Sequence, residues 1–149
     1  GLALTGLGLA MVVIGVAELV GEGGVIVLSD RLGKWRTIAL GVVLSTAASL
    51  ALPVLGTTLS GSMIGLFVMY LTFEFANVAT LPLITELMPG ARSTVMSANI
   101  AGQSLGRMLG ALIGGALLPL GIGASGIAAA GINLAALAVL LFWVHENEG

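Results

Sequence analysis

The chain has 149 residues, of which 58% are hydrophobic and 8% charged, with a net charge of −2. Soluble domains carry roughly 25% charged residues, so this composition excludes an ordinary water-soluble fold. Without cysteine there is no disulfide, thiolate metal site or thiol nucleophile, a single histidine leaves no multi-histidine centre, and five scattered basic residues make no nucleic-acid surface.

The expected solvent is the lipid bilayer, and no metal or cofactor is expected. The 23 glycines fit that reading, because glycine is common in spanning helices, where it allows close approach. A spanning helix needs about 20 mostly apolar residues. Long unbroken apolar runs, rather than alternating segments of about ten residues, exclude a β-barrel and predict an all-α bundle of five transmembrane helices. The first, about Leu4 to Leu28, carries Glu18 and Glu22. The second, about Thr37 to Leu55, is uncharged. The third runs from about Ser62 to Leu87 through Pro82, where a kink is expected, and carries Glu74. The fourth, about Ser93 to Leu118, carries Arg107, and the fifth, about Ser125 to Val144, carries no charge. The opening GLALTGLGLA has no charged leader and no starting methionine, and reads as a chain cut from something longer.

The connections alternate in charge. SDRLGKWR (Ser29 to Arg36) and ELMPGARS (Glu86 to Ser93) are basic, whereas GTTLSG and PLGIGASG are uncharged. The positive-inside rule puts the basic loops in the cytoplasm, and the helix count puts the C-terminal HENEG there too. Trp35 and Trp143, at the cytoplasmic ends of helices, read as interface anchors. His145 lies in the tail, with no role assigned to it.

Ionisable groups inside a membrane cost about 2.5–3.5 kcal/mol on insertion scales, so their placement carries information. The first, third and fourth helices hold them; the second and fifth do not. At about 1.5 Å per residue, Glu18, Glu74 and Arg107 lie roughly 18–21 Å from the cytoplasmic helix ends, near one level. Glu22 follows Glu18 on the same face one turn on. Asn99, Gln103 and Arg107 form a polar stripe; Tyr70, Glu74 and Asn77 form another on the third helix. The arrangement predicts a polar cavity lined by these three helices, with the second and fifth facing lipid. Gly106, Gly110 and Gly114 make a small-xxx-small face for tight packing on a partner helix. Blander readings stay open: Glu74 as a structural hydrogen-bond partner, Glu18 and Glu22 as acids that hold helices together, Arg107 as a static counter-charge. Asn133 reads as an interhelical hydrogen bond, and the methionines as apolar filler.

DRLGKWR resembles the DRxGRR loop of the major facilitator superfamily. ELMPGARSTVMS is similar to its ELxPxxRxxxxS connection between helices 10 and 11, and LGRMLGALIGG to its glycine-rich helix 11. The loop departs from the pattern at Ile26, usually glycine, and at Trp35, usually basic. The resemblance covers nearly the whole chain as helices 8 to 12 of the C-terminal half, and is nearest to small-molecule (sugar or drug) efflux members. It implies a multi-pass protein of a bacterial inner membrane whose cavity is lined by helices 7, 8, 10 and 11. It implies further partners: the missing N-terminal half and helix 7, a small-molecule substrate and a proton. It also implies that Asp30 sits against the N-terminus of the fourth helix, and that Arg31, Gly33, Lys34, Arg36, Glu86 and Arg92 belong to a cytoplasmic gating loop.

No G-x-x-x-x-G-K-[ST] phosphate loop occurs, so energy would come from a gradient. A carboxylate taken out of water binds a proton more readily, and Glu74, then Glu18, are the preferred carriers. An intramembrane hydrolase is disfavoured by the lack of H-E-x-x-H and of any histidine in a span, so no enzyme is expected. A non-transporting structural or assembly subunit is the alternative.

Overall fold

The computed structural model describes residues 4–143, the side chains of Leu87 and Trp143 apart. The readings made for the Trp143 side chain, for His145 and for the rest of the tail lie outside the described residues. Five α-helices follow one another: α1 (Leu4–Leu32), α2 (Lys34–Leu55), α3 (Leu59–Leu87), α4 (Arg92–Leu117) and α5 (Ile122–Trp143), with 3-10 turns at Pro89–Ala91 and Leu118–Leu120. Helices suit a lipid solvent because each closes its own backbone hydrogen bonds.

Two expectations need correction. SDRLGKWR is not a loop. Ser29 to Leu32 complete α1, and Gly33 alone breaks the helix at φ 83 before α2 begins at Lys34. The Gly33 N–H still donates to the Ser29 carbonyl (3.1 Å), and the Gly33 carbonyl accepts from the Thr37 N–H (3.1 Å) and hydroxyl (2.8 Å). Only a residue without Cβ adopts that backbone cheaply, which makes the turn so short. The second correction concerns the span count. α1, α2, α3 and α5 are long and apolar enough to cross a membrane; α4 is not, so the candidates number four, not five. Its 26 residues would reach about 39 Å, enough for a bilayer. Its composition is the obstacle, because Arg92, Asn99, Gln103, Ser104 and Arg107 give it a polar side that lipid cannot satisfy.

α3 begins three residues before the expected start because Thr58 caps it: its hydroxyl oxygen accepts from the Gly61 N–H (3.0 Å). The helix then runs unbroken through Pro82.

α3 is the hub. It packs against α1 on one side and α2 on the other, and α2 in turn carries α5. These interfaces rest on glycines. A methyl at Gly41 would lie 2.8 Å from the Ala76 Cα, and one at Gly21 would lie 2.7 Å from the Leu71 carbonyl oxygen. On α2 the buried face is Thr37, Gly41, Ser45 and Ser49, small residues four apart. Its hydroxyls are largely satisfied within the helix, Ser49 donating to the Ser45 carbonyl (2.9 Å), so the face behaves as a smooth packing surface. α2 is thus an interior partner on this face, while Val43, Leu44, Leu50 and Val54 remain exposed on the other. Val25, Ile38, Phe75, Ala79, Leu83 and Leu140 form the apolar core, with Trp35 packed against it. Asn133 of α5 donates to the Ser45 hydroxyl (3.3 Å), the interhelical bond its isolation in an apolar helix suggested.

α4 stands apart. It has no buried residue and touches α3 and α5 only sparingly. The expected tight packing at Gly106, Gly110 and Gly114 is absent among the described residues: no atom comes within 4 Å of a methyl placed at any of them.

Candidate functional site in the α1–α3–α4 cleft

The close approach of α1 and α3 sets the site. Where Gly21 meets the Leu71 carbonyl, it also lies against Glu74, whose Cβ would stand 3.3 Å from a methyl placed at Gly21. Glu18, three residues earlier and on the same side of α1, is thereby carried to Tyr70 and Glu74. α4 brings Arg107 to the other wall. The result is a cleft of about 330 Å³ lined by Glu18, Met69, Tyr70, Phe73, Glu74 and Arg107.

Three ionisable side chains from three helices therefore face one space. They are not locked to each other: among the described residues none of them makes an ion pair. Arg107 instead directs Nη2 to the Ser104 hydroxyl at 3.5 Å, the outer limit of a hydrogen bond. Glu74 accepts from Asn77 Nδ2 (3.4 Å), and Asn77 Oδ1 accepts from Gln103 Nε2 (3.0 Å). This relay of amides is the polar connection between α3 and α4. Two carboxylates and a guanidinium thus line one cleft without an ion pair among them in the described residues.

Other expected residues fall elsewhere. Glu22 is exposed on α1, outside the lining. Asn99 is half-buried, with its Nδ2 enclosed and without a hydrogen-bond partner. Met69 and Phe73 line the cleft although their apolar character gave no sign of it. Their positions next to Tyr70 and Glu74, repeating at four residues, were the available signal. No cluster of three His, Asp or Glu side chains that could hold a metal occurs among the described residues.

The basic end holds a second arrangement. Lys34, at the start of α2, forms an ion pair with Glu86, near the end of α3, and clamps these two helices together. Asp30, Arg31, Arg36 and Arg92 are exposed. Asp30 makes no side-chain hydrogen bond or ion pair among the described residues, with α4 or otherwise.

A bundle of apolar helices with charged side chains from three of them lining one open cleft is an arrangement found in proteins that handle solutes inside a membrane. The family model of the Major Facilitator Superfamily matches residues 1–149. The chain belongs to that superfamily. No curated protein and no solved structure matches it. Membership and the four apolar spans make it a multi-pass integral membrane protein, with a fold suited to transport.

Proposed function

We propose that the chain supplies helices 8 to 12 of a secondary active transporter that exports a small molecule in exchange for protons. The observation that carries this reading is the convergence of Glu18, Glu74 and Arg107 on one cleft. In transporters built from repeats, substrate and coupling-ion sites lie near the midplane, and one bundle rocks against the other around them. Here the opposing bundle would be an N-terminal half, with helix 7 beside α4. The face of Gly106, Gly110 and Gly114 is open for such a neighbour. Glu74 is the proposed proton carrier, since its carboxylate already sits at the end of the Gln103–Asn77 relay and would respond to any movement of α4. Asn99 and Tyr70 would complete the polar surface, with Glu22 one turn away on α1, outside the lining. Gly33, with the Lys34–Glu86 clamp and the exposed arginines, would act at the cytoplasmic gate.

The test uses the longer parent protein in inverted membrane vesicles. Glu74→Gln is expected to abolish substrate uptake driven by a pH gradient while leaving substrate exchange intact. Undiminished pH-driven uptake would remove Glu74 from the role. Absence of both activities in the unmodified parent would favour a structural subunit instead.

A further inference from the structure

The cleft uses one of the five basic residues. The other four, Arg31, Lys34, Arg36 and Arg92, gather at one end of the bundle. Arg31 lies in the last turn of α1, and Lys34 and Arg36 open α2 directly after Gly33. The Lys34 ammonium reaches Glu86, and Arg92 opens α4 a few residues later. Only Lys34 has a carboxylate partner among the described residues; Arg31, Arg36 and Arg92 are exposed. Among the described residues, Asp30 and Glu86 are the acids of this end, so its described part keeps an excess of two positive charges.

The local helix chemistry is inverted. A helix N-terminus favours negative charge. α2 and α4 both start here, yet neither has an acidic residue in its first turn or a side-chain cap, and both start with a cation. Such a start is stabilised when an anion from outside lies against it. Trp35 sits between Lys34 and Arg36, partly buried against the apolar core, and tryptophan is enriched at membrane–water interfaces, so we take this end of the bundle to lie at headgroup level. What lies at that level around a membrane protein is a layer of lipid phosphates.

We propose that this patch binds the headgroups of anionic phospholipids, and that Arg31, Arg36 and Arg92 concentrate them around the starts of α2 and α4. Each basic side chain near an anionic surface contributes about a fivefold preference. Losing two should lower the local enrichment about 25-fold.

Trp35 reports on its own surroundings once Trp143→Phe has removed the other tryptophan. The chain is reconstituted in phosphatidylcholine vesicles holding a minor fraction of phosphatidylglycerol, with bromine on the acyl chains of one lipid at a time. Brominated phosphatidylglycerol is expected to quench Trp35 several-fold more than brominated phosphatidylcholine at the same mole fraction. Arg31→Gln with Arg36→Gln should erase the difference, and Arg31→Lys with Arg36→Lys should keep it. Equal quenching by the two lipids with all arginines in place overturns the proposal, and needs no variant that could fail to insert. Loss of the difference on adding inorganic phosphate, but not on adding chloride at equal ionic strength, would assign the patch to free phosphate and also overturn it.

Discussion

Replacing Gly41 by alanine tests how the hub of the bundle is packed. The added methyl would stand 2.8 Å from the Ala76 Cα, 2.9 Å from its Cβ and 3.0 Å from its backbone nitrogen. Carbon atoms rest at about 3.5–4.0 Å, so α2 and α3 must part by about 0.7–1.2 Å. Two of the three clashing atoms are backbone, so no rotamer change relieves them. Overpacking of this kind costs about 1–3 kcal/mol. Against it stands the intrinsic gain of alanine over glycine in a helix, about 0.8–1 kcal/mol. Gly106→Ala in α4 supplies that gain without the clash, because nothing lies within 4 Å of its methyl. The difference between the two variants therefore isolates the clash. Reversible unfolding in mixed micelles should show Gly41→Ala less stable than Gly106→Ala by about 1–3 kcal/mol. Equal stability would mean that α2 and α3 do not meet at Gly41 and Ala76.

The remaining interfaces give smaller effects. Asn133→Leu should cost about 0.5 kcal/mol, the usual worth of an interhelical hydrogen bond in a membrane, and a double-mutant cycle with Ser45→Ala should recover the same value as coupling. The Lys34–Glu86 pair is partly exposed, so Lys34→Gln and Glu86→Gln should show a coupling below about 1 kcal/mol that fades at about 1 M salt. Gln103→Leu cuts the α3–α4 relay at its 3.0 Å bond, and a spin label on α4 should become more mobile while one on α2 stays unchanged.

Much of this architecture could be read from the residues. Apolar runs located all five helices, and Glu18, Glu74 and Arg107, read from the sequence as lying at similar depths, line one cleft. Asn133 announced its bond by being the one amide of an otherwise apolar segment. The misreadings have physical causes. Counting apolar length alone made α4 a span, whereas its amide and arginine side needs cover that lipid does not offer. SDRLGKWR looked like a loop because charge usually marks one; yet charged residues continue a helix readily where it leaves the membrane, and only Gly33 breaks it. The small-residue face at Gly106, Gly110 and Gly114 meets no neighbour among the described residues, whereas the small-residue face that does pack there is Thr37, Gly41, Ser45 and Ser49. That repeat was equally visible and was masked by hydroxyls, which cost little once they bond to their own helix. The Lys34–Glu86 pair joins residues 52 apart, a separation that no local pattern reports.

The claim that most needs testing is that the α1–α3–α4 cleft holds water. The chain has no cysteine, so single thiols can be placed anywhere. Phe73 in the cleft and Ile132 on α5 are similarly exposed, at 49% and 58%, but the first should face water and the second acyl chains. In reconstituted vesicles, Phe73→Cys and Met69→Cys are predicted to react with a membrane-impermeant methanethiosulfonate, while Ile132→Cys stays unlabelled. Cleft positions as unreactive as Ile132→Cys would contradict the account.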